Sequence, residues 1–226
     1  METPQETTLA QRHSKILQKI RAHTKARAEL IAVSKLQPIE KIIELHRLGQ
    51  TKFGENYAQE LSDKAEALKD LKLDWIFIGH IQSNKIRKIV TYASEIQTVA
   101  SYSHAKLIAR HARELGKIPF SIMLEVNAGD EESKSGLAMD AIASLAVRIK
   151  TELPELHIRG LMAIPPDIYT DTAYAEVPAL YRSLRDCAST LGDGLLSLGM
   201  SNDMRIALEA GSDFVRIGTA LMGSRS

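Results

Sequence analysis

Eight short apolar runs alternate along this chain with segments whose apolar residues recur at helical spacing, and that alternation restricts the fold more than any other feature. The runs are Leu30–Val33, Thr51–Phe53, Trp75–Ile78, Ile96–Val99, Phe120–Val126, Ile158–Ala163, Leu195–Leu198 and Phe214–Ile217. Each is too brief for a helix and reads as a strand buried on both faces. Between them, Ile39, Ile42, Ile43 and Leu48 make one helical face that stops at Gly49. A polar helix is expected over 57–70, and further faces are built by Ile86, Ile89 and Val90, by Leu107, Ile108 and Leu115, and by Ile142, Leu145 and Ile149. Two last helices are expected over 175–191 and 203–210.

Strict alternation implies a parallel sheet, because parallel neighbours need a crossover and the helix supplies it. An open doubly wound sheet would satisfy the same pattern, but eight units in 226 residues point to a closed (β/α)8 TIM barrel. Residues 5–27 carry Leu9, Ile16, Leu17 and Ile20 on one face, which predicts an additional amphipathic N-terminal helix packed on the barrel. The expectation is a single domain over 1–226.

Charge removes one class of function. With 29 basic and 28 acidic residues interspersed, no basic block and only 5% aromatic residues, the chain has no nucleic-acid footprint. No stretch approaches membrane-spanning length, and the single cysteine, Cys187, fits a reducing compartment, so the expectation is a cytoplasmic protein away from membranes. The seven histidines are scattered, no metal site is expected, and neither a Gly-x-x-x-x-Gly-Lys nor a Gly-x-Gly-x-x-Gly motif occurs.

In a (β/α)8 barrel the chemistry lies at the C-terminal ends of the strands, with phosphate at the loops after strands 7 and 8. Gly199-Met200-Ser201-Asn202 follows strand 7, and Arg216-Ile217-Gly218-Thr219 closes strand 8. The glycines allow close backbone approach, Ser201 and Thr219 add hydroxyls, and the helix starting near Asn202 or Asp203 is expected to offer unpaired amides to an anion. Ordinary turn-and-cap chemistry would explain one such turn alone. Lys35 ends strand 1, beside strand 8 in a closed barrel. Such a lysine either snorkels into solvent or, recessed beside Arg216, loses enough ammonium character to condense with an aldehyde. Arg216 inside a strand needs a partner, either a structural salt bridge or a ligand's ring nitrogen. The polar and small residues of Asp167–Ala175 are expected to form a mobile lid.

Taken together, several segments resemble the pyridoxal phosphate homeostasis proteins, the YggS/PROSC family. They are Ala32-Val33-Ser34-Lys35, Phe53-Gly54-Glu55-Asn56-Tyr57, Trp75 to Lys85, Ser133-Lys134-Ser135-Gly136, Arg159 to Pro165, Leu198-Gly199-Met200-Ser201 and Val215-Arg216-Ile217-Gly218-Thr219. The family is similar to the barrel domain of alanine racemases. The resemblance implies that Lys35 forms a Schiff base with pyridoxal 5′-phosphate and that Asn56 lies near its ring face. It implies that Met200, Ser201, Gly218 and Thr219 enclose the phosphate while Arg216 faces the pyridine nitrogen.

It further implies a role in intracellular vitamin B6 homeostasis without robust catalysis, with no catalytic residue assigned, and cofactor-dependent apo-enzymes as candidate partners. Because arginine cannot accept the pyridinium proton, the ring would be a weak electron sink. The alternative is a slow, monomeric amino-acid racemase. A monomer is expected, since the chain stops shortly after strand 8 and carries no dimer-building β domain.

Overall fold

The computed structural model describes residues 7–24, 28–129 and 135–223. Eight parallel strands close into a barrel in sequence order: β1 (Glu29–Val33), β2 (Lys52–Glu55), β3 (Asp74–Phe77), β4 (Glu95–Val99), β5 (Phe120–Val126), β6 (Leu156–Ala163), β7 (Leu195–Ser197) and β8 (Phe214–Ile217). The outer ring contains α1 (Leu9–His23), α2 (Ile39–Arg47), α3 (Ala58–Ala67), α4 (Ile86–Tyr92), α5 (Tyr102–Glu114), α6 (Ile142–Glu152), α7 (Ala179–Ser189), α8 (Met204–Glu209) and α9 (Thr219–Met222).

All eight anticipated strands are present, with ends displaced by up to two residues. The helix expected over 175–191 starts only at Ala179, because Pro178 takes the N-cap with extended backbone. The four residues of α9 were not anticipated, being too few to show a periodic face.

The N-terminal helix starts at a capping box: the Gln11 amide donates to Thr8 Oγ1, and the Thr8 amide donates to Gln11 Oε1. Residues 5, 6 and 25–27 of its expected span lie outside the described residues. The helix buries Leu9, Ile16 and Ile20 and packs on α2, α8 and α9, covering the seam where β8 meets β1. Arg12 Nε donates to the Leu221 carbonyl at 2.7 Å, and Lys41 Nζ donates to the Met222 carbonyl at 2.8 Å. Two cations thus hold the C-terminal end of α9, where helical carbonyls lack partners.

Side chains alternate across each strand, so every strand feeds two cores. The larger core lies between strands and helices and includes Phe53, Trp75, Ile96, Ile122 and Leu196. The smaller one, inside the barrel, joins Ile31, Ile76 and Phe214, with Ile78 and Leu195 against it. β5 and β6 slip register between Ile122 and Met123, opposite Gly160. At Gly160 φ is +156°, and an added Cβ would sit 1.8 Å from the Leu195 carbonyl oxygen of β7. Gly160→Ala is therefore expected to cost at least about 2 kcal/mol in urea unfolding, since the backbone cannot yield without opening β6 from β7. Wild-type stability in that variant would contradict the tight approach of these strands.

Candidate functional site

The mouth at the C-terminal ends of the strands follows from the pairing of β1 with β8. Ile31 is opposite Arg216 and Ala32 opposite Ile217, so the residues just beyond both strands are neighbours. A Cβ built on Gly218 would lie 3.6 Å from Val33 Cβ. Lys35 lies half-buried in the turn two residues beyond β1, while Ser34 is fully buried.

Both peptide neighbours of Lys35 are held from behind by one buried charged group. Ser34 Oγ donates to Glu55 Oε1 at 2.6 Å, and the Ser34 carbonyl accepts from Lys64 Nζ at 2.6 Å. Lys64 also pairs with Glu55 at 2.8 Å and Glu60 at 2.6 Å, and Glu60 Oε1 accepts the Leu36 amide at 2.6 Å. Leu36 sits at φ 55°, a left-handed conformation a leucine avoids unless its surroundings impose it. Burial raises the Glu55 pKa despite Lys64, and one oxygen of each carboxylate has no hydrogen-bond partner.

The β8 side is built around Arg216, which is buried and carries no ion pair among the described residues. Its Nη1 donates to the Ser197 carbonyl at 2.7 Å and to Ser197 Oγ at 2.8 Å, and Nη2 donates to the Ala163 carbonyl at 2.7 Å. Burial lowers its pKa to about 10, opposed by the more distant charges of Asp203 and Glu125 and by Tyr181. A structural salt bridge is therefore not what accommodates this arginine.

The turn after β7 is shaped by Asp203. Its carboxylate accepts the Met200 amide and the Tyr181 hydroxyl, both at 2.6 Å, and burial raises its pKa. Gly199, at φ +101°, has no room for a side chain, because a Cβ would come within 2.6 Å of Ala207. The expected open N-terminus of α8 is not there. Asp171 reaches across and accepts the Arg205 and Ile206 amides at 3.0 and 3.1 Å. At the start of α9 the Gly218 carbonyl accepts the Leu221 and Met222 amides, both at 2.9 Å, and no described side chain caps the helix.

The same contacts describe the 167–175 loop. The Asp171 amide donates to the Asn202 carbonyl at 2.7 Å, Arg205 binds the carbonyls of Asp171, Tyr174 and Ala175, and Tyr169 stacks on Tyr174 at 5.1 Å. The segment expected to move as a lid is tied to α8.

Two cavities open at this end. One, of about 180 Å³, is lined by Pro165, Pro166, Tyr169, Met200, Ser201 and Asn202. The other, of about 450 Å³, is lined by Asn56, Tyr57, Phe77, His80, Gln82 and Lys85. Asn56 Oδ1 is buried without a hydrogen-bond partner, so this side chain is poised for a donor from outside the chain. The sequence reading missed the roles of three groups: Glu125, a polar residue within an apolar strand, Asp203, read only as a helix start, and Lys64, hidden in a polar helix. Glu125, at the end of β5, accepts from Ser135 Oγ at 2.9 Å; Ser133 and Lys134 of that motif lie outside the described residues. No group of three or more metal-ligating side chains occurs among the described residues. Nor is any described helix long and apolar enough to cross a membrane.

The model of the alanine racemase N-terminal domain matches residues 11–226. The pyridoxal phosphate homeostasis protein of Pseudomonas aeruginosa is 41% identical, over 97% of this chain and 96% of its own. The chain belongs to the pyridoxal phosphate homeostasis protein family. Among solved structures, PipY of Synechococcus elongatus with pyridoxal phosphate bound superposes with a TM-score of 0.81 at 32% identity, covering 96% of this chain and all of that one. The alanine racemase of Streptomyces coelicolor has a TM-score of 0.72 at 17% identity. It shares the fold, and the match covers 95% of this chain but only 58% of the racemase.

Two outcomes test the electrostatics of the mouth. Lys64→Met leaves the buried Glu55 and the half-buried Glu60 without their cation, and a stability loss of about 3 kcal/mol is expected in urea unfolding; an unchanged midpoint would show that the group does not hold the Lys35 turn. Glu125 has a folded pKa raised by burial, so its charged form is disfavoured and stability declines as pH rises through that pKa. Glu125→Gln is expected to be more stable than wild type at neutral pH, with the gap closing below about pH 4. A gap independent of pH would contradict the assignment.

Proposed function

We propose that this protein holds pyridoxal 5′-phosphate on Lys35 and serves intracellular vitamin B6 homeostasis as a carrier without robust catalysis. The observation that supports the reading is Arg216: a buried cation, held by neutral oxygens, on the strand that pairs with the one Lys35 follows. The bound names of the relatives support the same cofactor.

The residues present fit that group. The cofactor supplies an aldehyde that condenses reversibly with an amine, on a pyridine ring carrying a phosphate. Lys35 offers the amine from a turn fixed on both sides by Lys64 and Glu60. Gly218 and Thr219, with Met200 and Ser201, form the two turns that would take the phosphate. Of these, Met200 contributes shape, because its amide already donates to Asp203. Asn56 brings an unsatisfied amide oxygen to the ring side.

Arg216 donates and never accepts a proton, so it can bind an unprotonated ring nitrogen but cannot keep that nitrogen charged. A carboxylate there would do the opposite and favour carbanion chemistry. This chain's own residues therefore favour retention over turnover. We further propose that the whole chain acts as one cytoplasmic domain and a monomer, with cofactor-dependent apo-enzymes as recipients.

Titration of the apo protein with pyridoxal 5′-phosphate and with pyridoxal tests the phosphate turns. Loss of the phosphate is expected to weaken binding at least about a hundredfold, the effect of two charge-assisted hydrogen bonds; equal affinities would remove the turns from the site. Chiral analysis of alanine and serine after prolonged incubation with the loaded protein is expected to show no Lys35-dependent racemisation. Clear racemisation would establish the slow racemase instead.

A further inference from the structure

The apolar cluster of Ile31, Ile76 and Phe214 fills one part of the barrel interior. Another part is crossed by a single file of hydrogen bonds that runs from the mouth towards the opposite end. Arg216 Nη1 donates to Ser197 Oγ at 2.8 Å, Ser197 Oγ donates to Gln97 Oε1 at 2.7 Å, and Gln97 Nε2 donates to Glu95 Oε1 at 2.6 Å. At the far end Arg159 Nη1 donates to Glu95 Oε2 at 2.5 Å, with Asp193 beside it. Ser197 and Gln97 are fully enclosed, and Glu95 and Arg216 nearly so.

From Arg216 to Glu95 every bond in this file points the same way, and Arg159 donates to Glu95 from the other side. Arg216 has only donors and the Glu95 carboxylate only acceptors, so the serine proton must go to Gln97, and the Gln97 amide nitrogen must face Glu95. With its proton committed to Gln97, Ser197 Oγ presents a lone pair to Arg216. Together with the Ser197 and Ala163 carbonyls, it fixes the guanidinium plane through three of five N–H donors. Two donors remain.

We propose that Gln97 and Ser197 are positioning residues that, anchored on Glu95, hold Arg216 in the orientation that selects a heteroaromatic ring nitrogen in the bound ligand. This rests on the cofactor reading above and adds the interior side chains that make the Arg216 contact selective. Burying a glutamine and a serine among apolar strands costs stability unless they are hydrogen-bonded, and here every polar side-chain atom of both has a partner.

The test compares binding of pyridoxal 5′-phosphate with that of its 1-deaza analogue, in which a C–H replaces the ring nitrogen. Wild type is expected to prefer the natural cofactor at least about tenfold, the effect of one charge-assisted hydrogen bond. In Ser197→Ala and Gln97→Met that preference is expected to shrink at least about threefold, while Ser197→Thr, which keeps the hydroxyl, retains it. Thermal unfolding of each apo variant reports whether it folds, and if Gln97→Met does not, Ser197→Ala decides. Variants that keep the full preference, or that lose affinity for both ligands equally, would overturn the proposal. A wild type that binds both equally would overturn the ring-nitrogen contact and this proposal with it. A wild type that binds neither would overturn the cofactor reading itself.

Discussion

Barrel closure between β1 and β8 is the constraint on which the site depends. Four residues of β1 pair in register with β8, from Glu29 with Phe214 to Ala32 with Ile217, and this juxtaposes the first and last strands of the chain. A lysine near one terminus and a glycine turn near the other become neighbours for that reason alone. The seam is reinforced from outside by α1 and α2, whose Arg12 and Lys41 side chains grip the carbonyl end of α9. The N-terminal helix therefore supports the turn after β8 directly.

Around that seam the charges fix the backbone. Lys64, shared by two carboxylates and a carbonyl, fixes the backbone on both sides of Lys35. Asp203 takes the Met200 amide of the turn, and Asp171 takes two amides of the first turn of α8. Arg216 is surrounded by neutral acceptors, so its cation is balanced only at a distance, by Asp203 and Glu125. Tyr169 and Tyr174 stack on each other beside the mouth.

Much of this was legible from residue order. The alternation of apolar runs with helical faces specifies a parallel sheet, and the chain length specifies how it closes. The strand-end positions of Lys35, Asn56, Ser201, Arg216 and Thr219 then place them at one rim. What escaped were pairings made across sequence distance. Nothing in the Asp167–Ala175 stretch announces that Asp171 caps a helix that starts more than 30 residues later. Lys64 lies in a polar helix whose spacing marks it as surface, yet two glutamates draw it inside. Glu95 and Gln97 did carry a signal, since polar residues alternate there within a buried strand, but only the folded barrel reveals their partners.

The central claim is that the Lys35 amine just beyond β1 is the one that captures the aldehyde. Borohydride reduction of the cofactor-loaded protein, followed by peptide mapping of the labelled lysine, tests it most directly. The label is expected on Lys35. A label confined to any other lysine, or no label on a protein that still retains the cofactor, would contradict the account.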